Sequence, residues 1–274
     1  MASNEEKEYP FIPEGLTSAV YGPENPPKDW ADAGFLIPHE ALRFSMNKML
    51  ASAEALKDDY EKKESWKVLY FAEWYVEDFA SMVHDHHFNE ESIYFPWVAT
   101  KAELPEKVLS KQHEDLVKML EEMKSICISV KKKKGIKCAD EIKKLKEKIP
   151  LFIDDMNEHL KEEEEGIPEL LRANFTHEEE QVVVGKIIKS EGLGGTRRFL
   201  PTLLEAMDKW AKPSFKEIFL ASIPPPIQKL LYDYYIPDYN DYVCPKRDAP
   251  TLSEKPKIVK VKCCKLPFCC NCVV

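Results

Sequence analysis

"HDHHFNEESIYFP", residues 84–96, sets three histidines and two glutamates within eight residues and ends on a proline. The whole chain has only seven histidines in 274 residues. A distant stretch, "HLKEEEEGIP" (159–168), answers it. Glu91 follows His87 by four positions, and Glu163 follows His159 by four. Residues four apart share one face of a helix. Pro96 and Pro168 each come nine positions after their histidine, behind an apolar Phe95 or Ile167. The pattern H-x-x-x-E-x-x-x-Φ-P, with Φ apolar, is thus an internal repeat carried by two helices.

Working outward, apolar residues recurring every three or four positions predict four long helices. The first is expected from Pro38 to near Lys63, with Leu42, Met46, Met49, Ala53 and Leu56 inward. The second runs from about Glu64 to Tyr94 with Leu69, Val76, Ala80 and Val83 inward, and "FPW" ends it. The third runs from about Leu104 to Val130, with Leu109, Leu116, Val117, Leu120 and Met123 on one face. "KKKKGIK" (131–137) reads as a solvated loop. The fourth runs from about Ala139 to Glu165, with Ile142, Leu145, Ile149, Phe152 and Met156 inward. The fold class is all-α: an up-down-up-down four-helix bundle with additional C-terminal helices and an irregular tail. The expected divisions are an irregular arm (1–37), the bundle (38–172), a helical extension packed on it (173–235), and a loop with a Lys/Cys-rich tail (236–274).

Composition limits the function classes. The chain is 44% hydrophobic and 32% charged, as in a soluble globular protein. No apolar run approaches the roughly 18 residues of a membrane-spanning helix. The start, "MASNEEKEYPFIP", does not read as a secretory signal. A net charge of −9 argues against general nucleic-acid binding. Five of the eight cysteines lie in the last twelve residues, which is not a disulfide framework and suits a reducing cytoplasmic setting.

His39 opens the first helix, His87 closes the second, His113 opens the third and His159 closes the fourth. In an antiparallel bundle these ends lie at one level, and each histidine continues its helix's apolar stripe. Buried carboxylates beside them are costly unless paired. Two cations satisfy four imidazoles and two carboxylates, and mixed His/Glu ligation suits iron, manganese or zinc. Iron is the first choice because open coordination positions remain.

The stretches "PHEALR", "HHFNEESIYFP", "KQHEDL" and "EHLKEEEEGIP" resemble those of the hemerythrin-like family, or HHE cation-binding domain, over about residues 36–172. The resemblance implies a four-helix bundle around two iron ions in a non-haem, Fe–O–Fe type centre. The ligands it implies are His39, His87, Glu91, His113, His159 and Glu163. "NFTHEEEQVVVGKII" is similar to the segment after the bundle in eukaryotic iron-sensing relatives, which belong to ubiquitin ligases; no RING or F-box pattern accompanies it. The family's oxygen carriers have a further histidine where Val117 stands, which implies a different or open ligand set on one iron. His84, one turn before His87, reads either as a group supporting it or as a partly exposed histidine. His86 and Glu90, rotated by roughly 100° from that face, read as boundary or surface residues. His177 reads as a helix-start residue.

The expected function is oxygen binding, or sensing of iron and oxygen status, with dioxygen or peroxide as the small ligand. The alternatives are an oxidase or peroxidase using the same centre and a zinc-stabilised interaction module. A ferritin-like oxidase ranks low, since those bundles carry Glu-x-x-His. In the tail, "KPKIVKVKCCKLPFCCNCVV", Cys263, Cys264, Cys269, Cys270 and Cys272 sit among lysines. That composition suits lipidation beside a polybasic patch, hence peripheral membrane contact, or soft-metal chemistry.

Overall fold

The computed structural model describes residues 11–104 and 111–259. The described residues form helices without a strand; an isolated bridge joins Phe11 to Ala211. Helix α1 is Trp30–Ala55. Asp29 caps it by accepting from the Ala31 N–H, so the helix starts at Trp30 and not at Pro38. Residues 30–37 therefore belong to the first helix rather than to an arm. Pro38 lies inside it, where its ring crowds the carbonyl of Gly34. Gly34 is also a point of close approach: a Cβ there would lie 2.4 Å from Glu180 Oε1.

Helix α2 spans 66–98 and is not uniform. π-Helical turns at Tyr75–Phe79 and Glu90–Tyr94 interrupt its α-helical stretches. Each adds a residue to a turn and moves the inward stripe. Val68, Phe71, Tyr75, Phe79 and Val83 are buried, while Leu69 and Val76 are only half-buried. Pro96 does not end the helix. The Phe95 N–H bonds the Glu90 carbonyl, and the widened turn leads into Phe95–Val98.

Helix α3 is Lys111–Lys132; Leu104, where it was expected to begin, lies outside any helix, and Leu109 falls in 105–110, outside the described residues. The lysine loop turns through left-handed Lys134, Gly135 and Lys137. A Cβ on Gly135 would lie 2.2 Å from the Ser65 carbonyl oxygen, so this turn requires glycine. Helix α4 is Ala139–Asn174, with Pro150 and Pro168 inside it. Leu42, Met46, Tyr75, Phe79, Leu120, Met123, Ile149, Phe152 and Met156 fill the space between the four helices.

Helix α5 is His177–Trp210, begun by a Thr176/Glu179 capping box and bent at Gly192. Helix α6 is Pro213–Ser222, and α7 covers 225–247. These pack on the bundle; Phe11, Leu36, Met207, Trp210 and Leu231 share one cluster. The helix continues to Arg247, where a loop was expected from 236. Pro237 and Pro245 are tolerated because each follows a π turn, Leu231–Tyr235 and Tyr239–Val243. Among the described residues no helix is long and apolar enough to cross a membrane.

Candidate metal centre

The bundle interior changes character at one end. Below it is apolar; at the level where α1 and α3 begin and α2 and α4 end it holds imidazoles and carboxylates. His39, His86, His87, Glu90, His113, His159 and Glu163 are all buried there. They fall into two groups whose donor atoms lie within 4.8 Å of one another: His87, Glu90, His113 and His159, and His39, His86, Glu90 and Glu163. Glu90 belongs to both.

Helical geometry explains why α2 presents three of these residues. At about 100° per residue, His87 lies about 100° from His86, and Glu90 falls about 40° from His86, between the two. Glu91 lies about 140° round, past His87 and toward solvent. The reading of His86 and Glu90 as boundary or surface residues is therefore corrected: their exposures are 8% and 6%. Glu91 lies outside both groups, its side chain 49% exposed. The cause is that the apolar stripe was followed through His87 alone, whereas the interior at this level is wide enough for both imidazoles.

Both carboxylates face both groups. Glu90 Oε1 lies 3.1 Å from His86 Nε2, and Oε2 lies 3.9 Å from His113 Nε2. Glu163 Oε2 lies 3.2 Å from His39 Nε2, and Oε1 lies 3.5 Å from His159 Nε2 and 3.8 Å from His113 Nε2. The Nε2 atoms of His113 and His159 are 3.0 Å apart, and the ring of His87 stacks on that of His113 at 4.4 Å.

A metal fits this donor set. His39 Nε2, His86 Nε2, both ring nitrogens of His87, Glu90 Oε2 and both oxygens of Glu163 are buried without a hydrogen bond. Buried polar atoms are normally satisfied, and so many orphans converging on one space call for cations. Imidazoles with carboxylates are ligands for iron, manganese or zinc.

An outer layer of carboxylates orients the imidazoles. A carboxylate only accepts, so His39 Nδ1–H donates to Glu164 Oε1 (2.9 Å) and His113 Nδ1–H donates to Glu91 Oε1 (2.9 Å). Each leaves Nε2 as the lone-pair atom facing inward. Glu164 also accepts from Arg43 (2.7 Å) and Ser18 (2.5 Å), and Glu40 accepts from Arg43 (3.0 Å) and the Thr17 hydroxyl (2.9 Å). The arm before α1 is thereby tied to the back of His39.

Charge within the cluster is uneven. Burial and the neighbouring Glu163 push the Glu90 carboxyl up to about 7. Burial also opposes ionisation of Glu163, but His159, His113 and His39 hold it well below the carboxylate range. Burial, then the other imidazoles, push His86 and His87 well below the usual histidine value. Burial works against a charged His39, yet the carboxylates of Glu163, Glu164 and Glu90 around it raise it well above the usual histidine value.

Residues 38–171 match the family model of the hemerythrin HHE cation binding domain. The chain carries a hemerythrin-like HHE domain. Searches of curated proteins and of solved structures gave no significant match. The HHE domain comprises α1 from Pro38 onward and α2–α4; α5–α7 and the segment before Pro38 lie outside the match.

Of the six ligands expected by resemblance, the HHE domain brings His39, His87, His113, His159 and Glu163 together, and sets Glu91 behind His113 instead. His86 and Glu90 were missed as interior residues. The spacing that would have found them is "HHFNEE" against "HLKEEE", with His86 over His159 and Glu90 over Glu163. His84 does not support the cluster: its Nε2 bonds Glu121 at 2.7 Å on the α2–α3 surface. Val117, half-buried, contributes nothing, and the fifth imidazole comes from α2. His177 opens α5 and stacks on Trp30, away from the cluster. Cys263, Cys264, Cys269, Cys270 and Cys272 lie outside the described residues.

Proposed function

We propose that the HHE domain holds two metal ions, iron being the first choice over manganese or zinc, and that the protein binds dioxygen or peroxide or reports iron and oxygen status. The observation that carries this reading is Glu90, common to both groups, with Glu163 within 3.8 Å of His39, His113 and His159, among buried donors of which seven atoms lack a hydrogen bond. His39, His86, His87, His113 and His159 would supply nitrogen, and Glu90 and Glu163 would supply oxygen. Iron bound there would supply redox change and affinity for oxygen ligands.

The residues of the chain prepare that chemistry. Glu164 and Glu91 hold His39 and His113 in one tautomer, so no reorganisation is needed when a cation arrives. Phe35 meets His39 edge-on at 5.5 Å and Phe95 stacks on His113 at 6.3 Å. These rings keep bulk water from the imidazoles. Arg43 sits behind the acidic residues and offsets part of their charge.

The oxidase or peroxidase reading drew on Val117 and the open position it implied. His86 and His87 together bring the imidazoles to five, and oxygen binding and oxidase chemistry alike need the position that stays open, so binding or sensing ranks first and rapid peroxide consumption would reverse that order. Metal analysis with an absorption spectrum tests the proposal. Two irons per chain and a visible band that depends on air are expected. Zinc alone would leave the interaction-module reading, and absence of tightly bound metal would refute all three.

A further inference from the structure

We propose that Tyr94 and Trp97 form a redox pair that gives electrons to peroxide held at the metal centre, with Glu180 receiving the Tyr94 proton. Given the metal-binding reading above, on which this inference rests, the observation is a row of aromatic rings leading from the surface to the imidazoles. Trp97 is half-buried at its outer end. Its ring lies 5.4 Å from that of Tyr94, Tyr94 lies 5.6 Å from Phe35, and Phe35 lies 5.5 Å from His39. All three separations are those of packed aromatic pairs. Tryptophan and tyrosine are the aromatic side chains that give up an electron most readily. Phe35 does not, and serves as the contact between Tyr94 and His39.

The partner of Tyr94 is what sets it apart from the other tyrosines. Its buried hydroxyl donates to Glu180 Oε1 at 3.1 Å. Tyr21, Tyr239 and Tyr242 also donate to carboxylates, those of Asp32, Glu205 and Glu77. Each of those carboxylates is paired with a cation: Asp32 with Arg172, Glu205 with Arg247, and Glu77 with Lys131 and Lys246. A carboxylate beside a cation keeps its charge and accepts a proton poorly. Glu180 makes no ion pair among the described residues. Burial, with Asp29 nearby and the Tyr94 hydrogen bond opposing, pushes it up to about 7. It therefore takes up and returns a proton near neutral pH. Burial, Glu180 and Glu90 hold the Tyr94 phenol neutral, well above its ordinary range. A neutral phenol oxidised in the interior sheds its proton as it loses its electron, and Glu180 is the base within hydrogen-bond reach.

One peroxide at the centre takes one electron from Tyr94, one from Trp97 and two protons from solvent, and its O–O bond breaks to give two waters. The phenol O–H proton passes to Glu180 and the indole N–H proton to solvent, leaving one radical on each side chain. The metal ions end in the state in which they began. The oxidising equivalents are thereby drawn away from His39 and its neighbours toward the surface at Trp97.

The test mixes the iron-loaded full chain with hydrogen peroxide, freezes it at intervals and reads it by electron paramagnetic resonance, with ring-deuterated tyrosine to identify the side chain. A tyrosine radical is expected in the parent and in Trp97→Phe, and none in Tyr94→Phe. Glu180→Gln keeps a hydrogen-bond acceptor of the same size that takes no proton, and is expected to slow radical formation about a hundredfold. Iron content and circular dichroism, measured on each variant, separate loss of the radical from loss of the site. Iron bound by the parent without a tyrosine radical, a radical undiminished in Tyr94→Phe, or an unchanged rate in Glu180→Gln would each overturn the proposal and leave the metal reading standing. Absence of bound iron in the parent would overturn both.

Discussion

Helices α2 and α4 perform the same task with different regularity. In α4, His159 is followed by Glu163 facing the cluster and Glu164 bonding His39 of α1. In α2, His86 is followed by Glu90 facing the cluster and Glu91 bonding His113 of α3. The two halves of the HHE domain are thus built alike, H-x-x-x-E-E on each second helix, serving a histidine on a neighbouring helix. The differences lie in what surrounds the motif. Leu160 stands in α4 where α2 has His87, so α2 brings one imidazole more. Glu164 is buried behind Arg43, whereas Glu91 is half in solvent. A π turn adds one residue between Glu90 and Pro96 that α4 lacks between Glu163 and Pro168. The lesson is that equal spacing to a proline does not mean equal spacing along a helix face.

The largest expected effect tests the equivalence of the shared carboxylates. Glu90→Ala and Glu163→Ala should each leave less than one tightly bound metal per chain, read by elemental analysis after dialysis. If Glu90→Ala keeps both metals while Glu91→Ala loses them, the correspondence between the two helices is wrong. His86→Ala should weaken binding as His159→Ala does, by more than about a hundredfold in a chelator competition, since losing a ligand exceeds the usual cost of losing its hydrogen-bond partner. His84→Ala, on the α2–α3 surface, should leave the affinity unchanged.

The outer carboxylates should part company in stability. Glu164→Ala strips the buried Arg43 of its shorter ion pair and should cost about 3–5 kcal/mol in denaturant unfolding. Glu91→Ala, exposed and screened, should cost no more than about 1 kcal/mol. Equal losses would show that exposure is not what separates the two positions.

A pH-dependent effect belongs to the turn that α4 lacks. Tyr94, at the end of the π turn, donates to Glu180 of α5 at 3.1 Å. Burial pushes Glu180 up from 4.5 to about 7. The folded state therefore holds this proton more tightly than the unfolded chain does. The stability it contributes is complete below about 4.5 and is lost as the pH rises through about 7. Glu180→Gln should match the parent near pH 4.5 and exceed it at pH 8 by up to about 3 kcal/mol. A constant difference across that range would assign the effect to packing instead of titration.

Much of the architecture was legible in the residues. Period and breakers placed α2, the end of α3 and the start of α4 to within a few residues, but α4 runs on past Glu165 to Asn174 and α1 stops at Ala55, short of Lys63. The start of α1 was misplaced because Pro38 outweighed Asp29, a capping residue whose bond forms only with the folded backbone. The level of the metal centre was legible too, because four histidines at alternating helix ends meet in any antiparallel bundle. The choice between Glu90 and Glu91 was not. It depends on how wide an arc of α2 faces inward, and that width is set by α1 and α3.

The sequence alone determined the helical class, the HHE motifs, the end of the bundle that carries them and the lysine-rich character of 131–137 and the tail. Each is a property of local spacing and composition, which survives any detail of packing. Tertiary structure decided that His86 joins His87 inside, that Glu90 is shared while Glu91 stands behind His113, and that the arm before α1 reaches Glu164. These depend on distances between helices, and a one-residue widening of a turn changes which side chain meets its partner while barely changing the pattern of letters.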